Sequence, residues 1–168
     1  KVFQMIQIEF GCGANPKRPG YKTCDIRDIP GIDFVCSAID IADHCEHNSV
    51  HTIFSRHMFE HLSFHDGELH LDACMKILRH GGTLEMMLPN MDYHVQQWLS
   101  KDPAQMDHAR AGFWGWQREA ADGEEWDCHK SGYNYTTLNE LLVRKGFANI
   151  KSVKRPTHKH LWITATKL

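Results

Sequence analysis

Three short runs hold the residues best able to do chemistry. The first, Glu9-Phe10-Gly11-Cys12-Gly13-Ala14-Asn15, places two glycines one residue apart after an apolar run. Without a Cβ, a backbone can approach a ligand closely and take positive φ. Asp25 ends the next strand-like run, a position from which a carboxylate can accept hydrogen bonds from both hydroxyls of a ribose. Gly-x-Gly alone is as readily a tight turn; with Asp25 it favours a cofactor that contains a nucleoside. The second run, His57-Met58-Phe59-Glu60-His61, has H-x-x-E-H spacing. On an α-helix that spacing sets two imidazoles on one face for zinc, with the glutamate as base. Thirteen histidines make a chance match easy, and no third ligand is marked. The third run, Asp127 to Tyr133, gathers polar groups around His129, an imidazole suited to general-base work near neutrality.

These runs need a scaffold, and apolar periodicity supplies one. Strands are expected at Phe3 to Phe10, Tyr21 to Ile26, Asp33 to Ala38, Val50 to Ser55 and Thr83 to Leu88, each bounded by glycine, proline or asparagine. A helix is expected from Asp66 to Arg79 with Gly81-Gly82 ending it. A second opens on a Thr137/Glu140 capping box and closes at Gly146. Ile150 to Lys154 and Leu161 to Thr166 are too closely spaced for a crossover and form an antiparallel hairpin. Between Gly11 and Gly20 stand two prolines and three glycines, so the helix that normally follows a first parallel strand is pared down to a turn or so. The fold class is α/β: a mostly parallel sheet, a C-terminal antiparallel hairpin and a reduced helical layer after strand one. Ligands on such sheets bind beyond the carboxyl ends of the strands.

The succession IEFGCGANPKRPGYKTCDI, SVHTIFSRHMFEHL and ILRHGGTLEMMLPN resembles the motifs of class I S-adenosylmethionine-dependent methyltransferases of the broad methyltransferase-11 type. The resemblance covers residues 5 to 90 and, more loosely, Gly146-Phe147 and the terminal hairpin. It implies a Rossmann-like fold, methyl transfer, and S-adenosylmethionine as cofactor. It places Gly11, Cys12 and Gly13 at the methionine end of the cofactor, with Glu9 as the acid before the loop. Asp25 falls at the ribose, and Ser37 and Ala38 by the adenine region. Ser55, Arg56 and His57 fall beside the transferable methyl, with Glu60 and His61 opening the next helix. Asn15 replaces a common third glycine, Ser37 replaces a common aspartate, and the usual helix is missing, so a modest affinity follows. Loss of the helix matters less here than for a dinucleotide, because this cofactor has no pyrophosphate to seat on a helix N-terminus.

Composition narrows the rest. At 168 residues a single domain is expected over 1–168. The formal charge of −2 gives no general pull on phosphate backbones. The stretch Arg144, Lys145, Lys151, Lys154, Arg155 and Lys159 reads as a solvated face. No apolar run reaches the roughly 20 residues that span a bilayer, so no membrane is expected. Six cysteines without a CxxC pair point to a reduced, cytoplasmic setting. Residues 91–135 hold four of five tryptophans among glycines and read either as a substrate-covering insertion suited to sugars or planar molecules or as a satellite core. The partner expected is a small molecule or glycan accepting the methyl on oxygen, with His57 or His129 as base and no metal. A non-catalytic cofactor-binding protein, an RNA methyltransferase and a zinc hydrolase using His57, Glu60 and His61 are the alternatives. Short linkers would leave a sheet face that a second copy of the chain could cover.

Overall fold

A computed structural model of the chain describes residues 5–117, 127–153 and 157–168. Seven strands form one sheet: β1 (Ile6–Phe10), β2 (Lys22–Asp25), β3 (Phe34–Val35), β4 (Val50–Arg56), β5 (Leu78–Pro89), β6 (Phe147–Ser152) and β7 (His160–Lys167). Their order across the sheet is β3-β2-β1-β4-β5-β7-β6. Neighbours run parallel except that β7 is antiparallel to both β5 and β6. Among the described residues four α-helices accompany it: α1 (Phe64–Ile77), α2 (Met91–Leu99), α3 (Pro103–Trp114) and α4 (Tyr135–Arg144).

Register explains the layering. Ile8, Ile53, Leu84 and Ala165 are paired across four strands, and because side chains alternate along a strand they share one face. That face is buried with Phe10, Met86 and Ile163 in the same core as Leu71, Cys74 and Ile77 of α1 and Leu138, Leu141 and Leu142 of α4. The opposite face carries the in-register row Glu9, Phe54 and Glu85. Among the described residues no helix lies between β1 and β2, as the prolines and glycines require. The loop itself covers this face: the Arg18 guanidinium lies 4.2 Å from the centre of the Phe54 ring and 2.6 Å from Glu85. Glu9, buried, accepts hydrogen bonds from the backbone N–H of Lys17 and Arg18. The chain's own loop thus covers the sheet at Phe54.

Several boundaries differ from the sequence reading. The strand expected at Asp33 to Ala38 pairs only at Phe34–Val35, where a sheet edge offers a single partner. Of the expected first strand, residues 3 and 4 lie outside the described residues. Gly81-Gly82 does not end α1. The helix stops at Ile77, and its last carbonyls are met instead by the Lys167 ammonium (Met75 O at 2.5 Å, Leu78 O at 2.7 Å) and by the backbone N–H of Asn48 and Ser49, which satisfies acceptors that a glycine cap would otherwise serve. The two glycines lie inside β5, where its pairing with β4 jumps from Val50↔Leu78 to Thr52↔Thr83. Thr137 does not cap α4 either. Asn134 is the cap, and Thr137 answers as the third helical residue of the capping box, so a threonine read as the start is one turn inside. Gly146, at φ +88°, closes that helix as expected. Lys154, Arg155 and Trp126 of the sequence reading lie outside the described residues.

Candidate active site

Two clefts open beyond the carboxyl ends of the strands, and His61 lines both. The first, about 260 Å³, is walled by Gly11, Asp25, Ser37, Ala38, Met58 and Leu62, among others. It opens off the ends of β1, β2 and β3. Gly11 takes φ +62°, and a Cβ there would lie 2.5 Å from Cγ and 2.7 Å from Cβ of Met58, so the closeness of the two segments requires glycine. Asp25, buried, accepts from the backbone N–H of Gly13 (2.9 Å) and of Arg27 (3.0 Å) and from the Arg27 guanidinium. Burial pushes its carboxyl up, but the Arg27 side chain and the two backbone N–H groups outweigh that and hold it below the usual carboxylate range. The third wall is fixed from beneath. His70 on α1 is completely buried, its Nδ1 lies 2.9 Å from Ala38 O, and burial pushes its pKa down to about 4. The ring is therefore neutral and donates from Nδ1 to that carbonyl.

The second cleft, about 320 Å³, is lined by six histidines: His57, His61, His94, His108, His129 and His160. Glu60, 1% exposed, lies among them. The H-x-x-E-H run is not on an α-helix: Phe59–His61 is a single 3-10 turn between β4 and α1. His57 takes φ +49°, and its Nδ1 meets Glu60 Oε1 at 3.0 Å. The other oxygen, Glu60 Oε2, is buried without a hydrogen-bond partner. The Glu60 carbonyl accepts the backbone N–H of Lys130 (2.8 Å) and Ser131 (3.1 Å), which ties the 127–133 run to the 57–61 run. His61 Nδ1 faces Cys128 O at 3.1 Å and His129 Nδ1 faces Gly112 O at 2.9 Å. One ligand atom from each of Glu60, His61 and His129 lies within 4.8 Å of the others. Burial pushes His61 below the ordinary histidine range and takes His94 and His160 down to about 4.

Of the sequence-predicted cofactor residues, Gly11, Asp25, Ser37 and Ala38 come together around the first cleft. Gly13 reaches it through its bond to Asp25, and Cys12 lies between the two loop glycines. Glu9 and Ser55 are buried in the sheet, Glu9 with its carboxylate engaged by the loop, and Arg56 is the exposed last residue of β4; none of the three lines either cleft. The candidate bases His57 and His129 both line the second cleft, with the Glu60 and His61 of the same motif. Sequence reasoning missed His70, His94, His108 and His160. His94 and His108 stand on α2 and α3, the helical part of the 91–135 region, where Trp98 and Trp114 are partly exposed rather than turned into either cleft. The basic stretch is partly neutralised at home: Arg144 pairs with Glu68 at 2.6 Å and Lys145 with Asp72 at 2.9 Å.

No protein-family model and no curated protein matches the sequence. Solved structures do. A SAM-dependent methyltransferase from Archaeoglobus fulgidus superposes with a TM-score of 0.64 at 15% identity, over 97% of this chain and 86% of that one. A SAM-dependent methyltransferase from Thermotoga maritima, described as a possible histamine N-methyltransferase, gives 0.66 at 13% identity over 98% and 83%. The CurJ carbon methyltransferase gives 0.60 at 13% identity over 99% of this chain and 49% of that one, so the chain spans about half of its length. The seven-stranded sheet, mostly parallel with an antiparallel β7, therefore has the Rossmann-like fold of these SAM-dependent methyltransferases.

Proposed function

We propose that the chain is an S-adenosylmethionine-dependent methyltransferase acting on a hydroxyl of a small molecule or glycan. The observation that carries this reading is the first cleft, where a glycine that tolerates no Cβ and a buried, ionised Asp25 stand together beyond the carboxyl ends of β1 and β2, beside the switch point between β1 and β4. The residues fit the cofactor: Asp25 is placed for a ribose diol, Ser37 and Ala38 for the base, and the Gly11 to Gly13 loop for the amino-acid end. When bound, the cofactor supplies an electrophilic methyl group. The chain's contribution is mostly alignment, an effect worth on the order of 7 to 11 kcal/mol in favourable cases. His61 stands where the two clefts meet, so an acceptor in the second cleft lies beside the first.

Between the two candidate bases, the geometry favours His57. With Nδ1 against the Glu60 carboxylate, its Nε2 is left to take a proton, and the buried carboxylate stabilises the imidazolium that results. The α2–α3 hairpin, which brings His94 and His108 to the cleft, covers the acceptor and excludes water. Proposed functions of the other classes lose their footing by comparison: the zinc hydrolase needs an α-helical H-x-x-E-H that is not formed, and the RNA reading rests on cations partly paired with α1.

Calorimetric titration with S-adenosylmethionine and S-adenosylhomocysteine tests the reading, with Asp25→Ala alongside. Micromolar binding that weakens roughly 100-fold in the variant is expected, the loss of charge-assisted bonds of about 1.5–3 kcal/mol each. Absence of binding in the wild type refutes it. Turnover on amines or nucleic acid but not on hydroxylated acceptors refutes the O-methylation part alone.

A further inference from the structure

The second cleft holds more ligand chemistry than a base requires. Glu60 Oε2 is buried and without a partner, and an unpaired carboxylate oxygen at 1% residue exposure is costly unless something completes it. Two imidazoles stand near the carboxylate, one ligand atom from each of Glu60, His61 and His129 lying within 4.8 Å of the others. A ring nitrogen that meets a carbonyl oxygen must carry the proton, so the Nδ1 contacts of His61 with Cys128 O and of His129 with Gly112 O leave each Nε2 with its lone pair. Backbone carbonyls in this role fix the tautomer and ring direction of metal-ligating histidines. The carboxylate is oriented in the same manner, by His57 on Oε1.

We propose that Glu60, His61 and His129 bind one divalent first-row transition-metal ion, zinc-like in its preference for imidazole and carboxylate, on the wall between the two clefts. Two histidines and a carboxylate supply three ligands and leave a coordination position open, the arrangement of catalytic rather than structural sites. The cluster is a different set from the H-x-x-E-H reading: His57 serves as the neighbour that orients Glu60, and the third ligand comes from a residue 68 positions on from His61. An acceptor hydroxyl in the open position would be held at the boundary of the cofactor cleft, its O–H proton passing to His57 while the electron pair stays on oxygen. That role rests on the methyltransferase reading; the metal site does not.

The test uses the full chain freed of metal by chelation, titrated with zinc alone and followed by calorimetry, with cobalt as a spectroscopic probe. One tight equivalent is expected, weakened roughly 100-fold or more in His129→Gln and in Glu60→Gln, and unchanged in His65→Ala, an exposed histidine on α1. Cobalt is expected to give the intense visible bands of a four- or five-coordinate site in the wild type and to lose them in His129→Gln. Thermal melting of each variant, checked without metal, identifies one that has not folded, in which case His61→Gln takes its place. Zinc affinity and a cobalt spectrum that survive in every cluster variant overturn the site, as does loss of the tight equivalent in His65→Ala. Because S-adenosylhomocysteine binding is measured separately, failure of the cofactor reading leaves the zinc result standing, and the reverse.

Discussion

The two clefts are built in different ways. The first is assembled chiefly from the ends of β1, β2 and β3, closed by Met58, His61 and Leu62, and its decisive residues, Gly11, Gly13 and Asp25, lie within 15 positions of one another. Its side chains are few and the backbone does much of the shaping. The second draws on β4, the turn at 59–61, both helices of the α2–α3 hairpin, the 127–130 segment and the start of β7. Six of the residues that face it are histidines, and three of these, His61, His108 and His129, are held by a partner from another element. A site made by local chain geometry is robust to the rest of the fold, whereas one made by convergence of distant side chains depends on all of it.

That contrast can be broken most sharply at Gly11. In Gly11→Val the new Cβ would lie against Cβ and Cγ of Met58, the near end of a side chain that cannot swing aside, and the φ of +62° is itself unfavourable for a branched residue. A loss of about 3 kcal/mol follows, which lowers the melting temperature by roughly 10 °C. Cofactor binding is lost with it. Gly13→Ala is the internal control: its Cβ meets only the far end of Arg27, at 3.0 Å, so the cost is the φ term alone, about 1 kcal/mol. Equal effects at the two positions would show that the closeness of Met58 is not what requires glycine at position 11.

Acid distinguishes the clefts next. His70, fully buried with its pKa pushed down to about 4, stays neutral in the folded chain while the unfolded chain takes up a proton near pH 6.5. Stability from such a group is complete above pH 6.5 and falls as pH drops toward 4, by about 2 kcal/mol at pH 5 for His70 alone. His94 and His160 act in the same direction. Denaturant midpoints at pH 7 and pH 5 measure the sum, and His70→Asn is expected to flatten the slope. Asp25, held below the usual carboxylate range, keeps its charge throughout, so any binding by the first cleft should fade only as the fold does.

The same contrast explains what the sequence makes legible. The parallel strands, the glycine loop, the absence of a helix after β1 and the C-terminal hairpin are local patterns, and they are read correctly because apolar period and punctuation are local physics. Gly81-Gly82 and Thr137 mislead because the true helix ends are set elsewhere, by Lys167 from the last strand and by Asn134. His57, His61 and His129 stand out as motif residues, but their convergence does not. His94, His108 and His160 carry no spacing signal, and only the count of thirteen histidines hints at them. His70 hides in the apolar stripe of α1, where nothing marks a helix histidine as the support of a loop 32 residues earlier.

A smaller effect is expected at Glu9. Its carboxylate, buried, accepts the N–H groups of Lys17 and Arg18 and so replaces the missing helix as the brace of the 11–20 loop. Glu9→Gln keeps one acceptor oxygen and offers a donor where a donor already points, for a loss of about 1–2 kcal/mol. Chemical denaturation measures it. If Glu9 were instead a cofactor ligand, binding would fall with stability unchanged.

The smallest effect has the opposite sign. The two oxygens of a carboxylate accept about four hydrogen bonds, and at Asp25 all four are filled, two of them by Arg27 Nε and Nη2. A ribose diol has to displace the guanidinium, whose side chain is 43% exposed. Arg27→Ala removes this competitor while sparing both backbone donors, and S-adenosylhomocysteine should bind several-fold more tightly, a gain of about 1 kcal/mol. Weaker binding in the variant would mean that Arg27 stays on Asp25 and contacts the ligand itself. The acid after β2 would then serve as an anchor for that arginine, and the first cleft would depend on a long side chain as heavily as the second does.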